Sequence, residues 1–349
     1  THTQSSAASD VYKRQNKPAA NVGNQPSSST NALGDLTPAV AEPSAWLQSA
    51  LSVPRDEGYV QLSGCQIHYF RWGDTSKPGI VMIHGFLAHA RCFAFIAPFL
   101  TDYHVVAFDM SGMGDSGTRV EYPIEQRVDE LIGVAERTGL FEHEKKPVIV
   151  AHSYGGQVGV ETMHRCAERF AGLIICDLMV MRPEVLAANV ERFRPPGNQQ
   201  ANKPNKVYPS YEEAKARFVL APPQPVGHAE LFDFMAYHSL REVDGGWSWK
   251  FDPSVFRRET GFEKRWAETG HRIVAAPGRK AVVYGRESML FNDDSANYLR
   301  ELVSELNVAP FPIVDIPHAY HHLMLDQPMA LVASLKSILA IWQSADMDS

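Results

Sequence analysis

Short unbroken apolar runs, separated by amphipathic stretches, organise the chain from residue 59 to residue 342. Gly79-Ile80-Val81-Met82-Ile83 is the first run, and a segment of that kind suits a strand buried on both faces of a parallel sheet. The pattern recurs at residues 105–108, 148–151, 173–176 and 280–284, and more weakly at 311–316. Upstream, residues 59–63 and 66–72 read as two strands joined by a turn containing Gly64. Helical spacing fills the intervals at about 90–100, 124–138, 156–169, 295–306 and 329–342. Strand and helix alternate, which predicts an α/β fold with a mostly parallel central sheet flanked by helices.

The alternation stops between Asp177 and about Ala276. That stretch is too long for a plain loop. It carries prolines such as Pro222, Pro223 and Pro225, and aromatics that include Phe218, Phe234, Tyr237, Trp247 and Trp249. We expect residues 178–275 to form an inserted, mainly helical cap, with residues 44–177 and 276–349 forming the core. In Trp247-Ser248-Trp249-Lys250-Phe251 the aromatics alternate, so a strand would place them on one face. Residues 1–43 are rich in Ser, Ala, Asn, Gln and Pro, contain few large aliphatics, and are expected to be disordered.

Composition narrows the function. The 349 residues hold 33 Lys and Arg against 40 Asp and Glu, a net charge of −7, which argues against a nucleic-acid binder. No window approaches the length of apolar sequence that spans a bilayer, and no charged start followed by an apolar stretch marks a secretory signal. The four cysteines lack CxxC spacing, so reduced thiols and a cytoplasmic location are expected. The histidines show no HExxH-like spacing, and neither metal nor organic cofactor is expected. Nothing indicates a particular oligomeric state.

Chemistry concentrates just after the run at 148–151. Ala151-His152-Ser153-Tyr154-Gly155 matches the nucleophile elbow G-x-S-x-G, with Ala in place of the first glycine. A sharp strand-to-helix turn holds the central residue in a strained conformation, and small neighbours avoid a clash. Ser153 Oγ would then stand above the sheet edge at the positive end of the next helix. An Asp here would attack an alkyl carbon, which suits halide or epoxide opening. A serine instead attacks an acyl carbon and forms an acyl-enzyme. His84-Gly85-Phe86 follows the strand run 79–83, where such folds present a backbone N–H toward the nucleophile. Phe86 and Tyr154 are therefore the expected oxyanion-hole donors, each such donor contributing roughly 3 kcal/mol in the transition state. His84 reads as a loop-holding residue.

These motifs, with the turn Asp109-Met110-Ser111-Gly112-Met113-Gly114-Asp115-Ser116-Gly117, resemble the α/β-hydrolase fold superfamily from about residue 59 to 342. The resemblance implies a triad in the order Ser, acid, His. The segment Ile316 to Pro328 is similar to the family's final-histidine segment, in which a His lies seven residues before a helix-opening Pro. That offset implies His321 as the base, with His322 and His318 as alternatives. The resemblance also implies that Asp109 and Asp115 are structural. The family most often places the acid after the seventh strand, but Gly285-Arg286-Glu287-Ser288 has Ser in that slot. Some members place it after the sixth strand, and Asp177 lies there, 24 residues beyond Ser153. Asp177 is the first candidate, followed by Glu287 and then Asp293 or Asp294.

Residues 217–224 and 244–253 resemble cap segments of a bacterial α/β-hydrolase group whose substrates are mostly unassigned. Tyr237 and His238 are candidates to reach the pocket. An apolar pocket and a small-molecule apolar ester are expected, cleaved through an acyl-enzyme by Ser153, His321 and Asp177. Thioester, amide or carbon–carbon cleavage by the same residues is the alternative, as is a catalytically silent binding protein.

Overall fold

The computed structural model describes residues 28–31, 39–40, 43–193, 198–257 and 261–347. Its strands are β1 (Ser28–Asn31), β2 (Pro54–Leu62), β3 (Cys65–Trp72), β4 (Gly79–Ile83), β5 (His104–Phe108), β6 (Val148–His152), β7 (Gly172–Cys176), β8 (Leu240–Val243), β9 (Gly246–Trp249), β10 (Lys280–Gly285) and β11 (Ile313–Ile316). Nine of them form one sheet in the order β1-β2-β3-β5-β4-β6-β7-β10-β11. The pairings β1–β2, β2–β3 and β3–β5 are antiparallel. All pairings from β5 to β11 are parallel. Every residue of β4, β5, β6 and β7 is buried, the reason their sequences are unbroken apolar runs.

Helices cover both faces. Leu47 and Leu51 of Ala45–Ser52, with Leu331, Leu335 and Ile338 of Pro328–Met347, pack in one apolar layer. Helices Ile124–Arg137, Tyr154–Cys166 and Asp293–Glu305 supply Val128, Leu131, Val158, Met163 and Leu299 to the other. From β4 the chain proceeds to β5 on one side and then to β6 on the other, so the order reverses at the β4–β6 pair. In open α/β sheets the crevice beyond the carboxyl ends of the strands at such a reversal is where ligands bind. β4, β6, β7, β10 and β11 all end toward that crevice.

Several boundaries differ from the sequence expectation. The helix expected over 90–100 is two 3₁₀ turns, Ala90–Phe93 and Ala97–Phe99, because Pro98 interrupts the ladder. Buried Asp109 also draws the Ala90 N–H into a 2.6 Å hydrogen bond. β2 begins at Pro54, since its register with β3 runs from Arg55–Trp72 to Leu62–Cys65. The C-terminal helix is longer at both ends, opening on Pro328, whose missing N–H costs nothing at a first helical position. Within the stretch expected to be disordered, Ser28–Asn31 pairs with β2, an edge pairing that needs backbone groups and no large side chains.

Between β7 and β10 the chain leaves the sheet for short helices, among them Pro183–Phe193, Tyr211–Lys215, Ala229–His238 and Thr269–Ala275. The hairpin β8–β9 turns at Asp244-Gly245, with positive φ at Gly245 and Gly246. A Cβ on Gly246 would lie 2.0 Å from the Tyr208 carbonyl oxygen. Trp247 and Trp249 pack with Tyr208, Tyr211 and Leu240 in a small cluster of their own.

Candidate active site

Ser153 sits between the end of β6 and helix Tyr154–Cys166 with φ 52° and ψ −123°, a conformation rare for a residue with a Cβ. Two backbone bonds hold the turn: Ser153 N donates to Cys176 O at 3.0 Å and Gly156 N to Ser153 O at 2.7 Å. Glycine is required at 155, where a Cβ would lie 2.7 Å from the carbonyl oxygens of both Ile83 and His84. Gly85 is less tightly confined, its would-be Cβ falling 3.0 Å from His152 Nδ1 and 3.1 Å from Ser153 Cβ. The loop carrying Phe86 thus runs directly alongside Ser153, while Tyr154 opens the helix. The Phe86 and Tyr154 rings meet edge-on, 5.8 Å apart.

From the loop after β11, His321 places Nε2 2.9 Å from Ser153 Oγ. Its Nδ1 lies 2.8 Å from Asp177 Oδ1. Asp177 follows β7, has φ 51° and is fully buried. Its carboxylate also accepts from Ser288 Oγ at 2.7 Å and from Gly285 N at 2.9 Å. Buried polar groups persist when satisfied in this way. Ser288, in the slot where the family resemblance leads one to expect an acid, instead hydrogen-bonds Asp177 from the loop after the neighbouring strand.

The other candidates lie apart. Glu287 and His318 are exposed. Asp293 accepts from Tyr284 OH, and Asp294 pairs with Arg182 at 3.0 Å. Asp109 is buried and accepts from Ala90 N, Asp115 N and His68 Nδ1. Burial opposes its charge, yet the hydrogen bond and charge of His68 keep its carboxyl well below the usual range. Asp115 pairs with Arg91 at 2.5 Å and with Lys250 at 2.6 Å. His68, Asp109 and Asp115 offer ligand atoms within 4.8 Å of one another. Both His68 nitrogens face carboxylates, Asp109 and Glu57, and two side-chain cations already neutralise Asp115, so this donor set is a poor fit for a metal ion.

Three histidines surround the contact between Ser153 and His321. His152 Nε2 donates to the His321 carbonyl at 2.9 Å, and the two rings lie 4.8 Å apart. Burial, with His321 beside it, pushes the His152 imidazole down to about 3. His322 is held well below its ordinary value by burial and by its two histidine neighbours. His84 accepts from Met110 N at Nε2 and donates to its own loop at Gly85 O, and burial keeps it neutral. These contacts match the loop-holding role read from its sequence. Those of His152 and His322 carried no sequence signal, since they depend on where three separate loops converge.

A cavity of about 330 Å³ lies beside this contact, lined by His152 and His322 and not by Ser153 or His321 themselves. Phe86, Leu87, His152 and His322 form its floor, and Phe218, Leu220, Met235, Trp249 and Phe251 from the inserted segment form its roof. Tyr237 and His238 do not line it. Tyr237 packs on Tyr211 and Trp247, and His238 on Phe234. A depression of about 430 Å³ between Leu62 and Arg169 lies elsewhere, rimmed by Asp129, Glu136 and Arg165.

Residues 80–335 match the Alpha/beta hydrolase family. The chain belongs to the alpha/beta hydrolase family. Among curated members, epoxide hydrolase 1 of Caenorhabditis elegans is 28% identical over 127 residues, 35% of this chain and 30% of that protein. The chain thus spans less than a third of that relative's length. Lipase LipV of Mycobacterium tuberculosis is 25% identical over 215 residues, 60% of this chain and 74% of the lipase. An esterase structure from Mycobacterium tuberculosis superposes with a TM-score of 0.62 at 19% identity, covering 88% of this chain and 95% of the esterase. At that identity the likeness concerns the fold. Among the described residues of this family member, no helix is long and apolar enough to cross a membrane.

Proposed function

We propose that this hydrolase cleaves a carboxylic ester of modest size through an acyl-enzyme. The relay from Ser153 Oγ through the His321 ring to Asp177, with contacts of 2.9 and 2.8 Å, is the observation that carries the reading. In the mechanism, His321 Nε2 takes the Ser153 proton as Oγ attacks the acyl carbon, and then gives it to the departing alcohol. Asp177 holds the imidazole in the tautomer with the proton on Nδ1 and stabilises the imidazolium that forms. Backbone N–H groups of Phe86 and Tyr154 hold the oxyanion. Water, activated by the same histidine, then releases the acid. The cavity's mostly apolar lining favours hydrocarbon or aromatic acyl and alcohol parts. Serine at 153 separates this chemistry from epoxide opening, whatever the names of the curated relatives.

Labelling with a fluorophosphonate probe tests the proposal. Modification of the wild type, lost in Ser153→Ala, is expected. A wild type that stays unmodified across the pH range would show a catalytically silent chain. A panel of p-nitrophenyl esters, acyl thioesters and anilides run on the unlabelled protein separates ester cleavage from the thioester and amide alternatives.

A further inference from the structure

Gln224 lies in the inserted segment, 97 residues before His321 in the sequence, and its side-chain amide grips the loop that carries that histidine. Oε1 accepts from His322 N at 3.1 Å and from His322 Nδ1 at 2.8 Å. Nε2 donates to both carboxylate oxygens of Asp326 at 2.9 Å. Asp326 Oδ2 in turn accepts from Tyr320 N at 2.8 Å. The Gln224 amide therefore ties residue 322 to residue 326, and Asp326 ties in Tyr320, so His321 is bracketed by two tethered residues.

The contacts require an amide. One end must accept twice and the other must donate twice, and among side chains of this length only glutamine does both. With Nδ1–H given to Gln224, the tautomer of His322 is set, and its ring packs 5.0 Å from that of His321. Both ends of the Gln224 amide are engaged by His322 and Asp326, so it is not placed to bind substrate directly.

We propose that Gln224 is a positioning residue through which seating of the inserted segment aligns His321 with Ser153. The proposal rests on the reading of Ser153 and His321 as nucleophile and base. It makes the segment between β7 and β10 part of the catalytic alignment as well as a wall of the pocket. Angular error in a general base is expensive, because proton transfer needs both hydrogen-bond reach and direction.

The test compares four variants by steady-state hydrolysis of p-nitrophenyl acetate, fluorophosphonate labelling rate and thermal unfolding. Gln224→Ala is expected to lower kcat and the labelling rate at least tenfold, with KM within threefold of wild type. Gln157→Ala removes a different bond to the inserted segment, from Gln157 Nε2 to Thr269 Oγ1 at 2.7 Å, and is expected to keep kcat within twofold. Gln224→Glu sets a carboxylate against Asp326 and should lower kcat further. Adding Asp326→Asn restores a donor at 326 that faces an acceptor at 224, and should return kcat to within threefold of wild type. If Gln224→Ala does not fold, the Gln224→Glu pair, with and without Asp326→Asn, decides. The role of Gln224 is overturned if kcat is unchanged in Gln224→Ala, if Gln157→Ala loses as much, or if Asp326→Asn fails to rescue. A wild type that is neither labelled nor active overturns the triad reading itself, a separate result.

Discussion

The carboxylate of Asp177 is surrounded by donors: His321 Nδ1, Ser288 Oγ and the Gly285 backbone N–H. If Asp177 orients His321, Asp177→Asn should reduce kcat on p-nitrophenyl acetate by about 10⁴-fold, as loss of the correct tautomer does in other triads. Glu287→Gln, altering an exposed side chain, should leave kcat within twofold of wild type. Equal activity of Asp177→Asn and wild type would exclude Asp177 as the acid. Ser288→Ala removes one of the donors and leaves the others, so a smaller loss is expected. A hydrogen bond to a charged group contributes about 1.5–3 kcal/mol, and kcat should fall roughly ten- to hundredfold if that contribution is felt in the transition state.

At the scale of elements, the two loops that meet at Ser153 leave no room for side chains. Gly155→Ala forces a methyl against two carbonyl oxygens at 2.7 Å, and the β4 loop that carries Phe86 must move. We expect that variant to fold with lowered thermal stability and to lose more than a hundredfold in kcat, on the scale of one lost oxyanion donor at about 10²–10³. The inserted segment supplies much of the cavity lining. Leu220 is nearly buried in the cavity roof, and Leu220→Ala enlarges the space for the acyl or alcohol chain. Each methylene in an apolar pocket is worth about 1–3 kcal/mol, so the variant's optimum along a p-nitrophenyl series from acetate to octanoate should move to a longer chain. An unchanged profile would show that the roof does not select.

Across the whole molecule, buried histidines contribute to the response to acid. His104 is pushed down to about 4 and His152 to about 3, chiefly by burial, so both stay neutral in the folded chain. The unfolded chain protonates them near their ordinary value of about 6.5, so it binds more protons than the folded chain below that pH. Their contribution to stability is therefore full above about pH 6.5 and declines as pH falls toward the folded values. His68 works in the opposite sense: although burial lowers it, hydrogen bonds to Asp109 and Glu57 raise it overall, and its contribution fades as pH rises. The melting temperature of His104→Leu should fall less between pH 7 and pH 5 than that of the wild type. Identical slopes would remove His104 from the account.

Much of this was legible in the chain. Apolar runs with no polar alternation mark strands covered on both faces, whereas the spatial order β5-β4-β6 is set only in the folded sheet. The elbow around Ser153 and the loop at His84-Gly85 are local devices, readable because steric crowding admits only small residues at particular offsets. The relation of Asp177 to Ser288 was not readable, since it depends on β7 and β10 lying side by side although 103 residues separate Cys176 from Lys280. Gln224 was equally silent, an ordinary polar residue among prolines until the inserted segment folds back over the sheet. Short-range sterics and hydrophobic periodicity are written residue by residue. Which polar atoms face one another across distant loops is decided when the layers close and buried donors and acceptors must find partners.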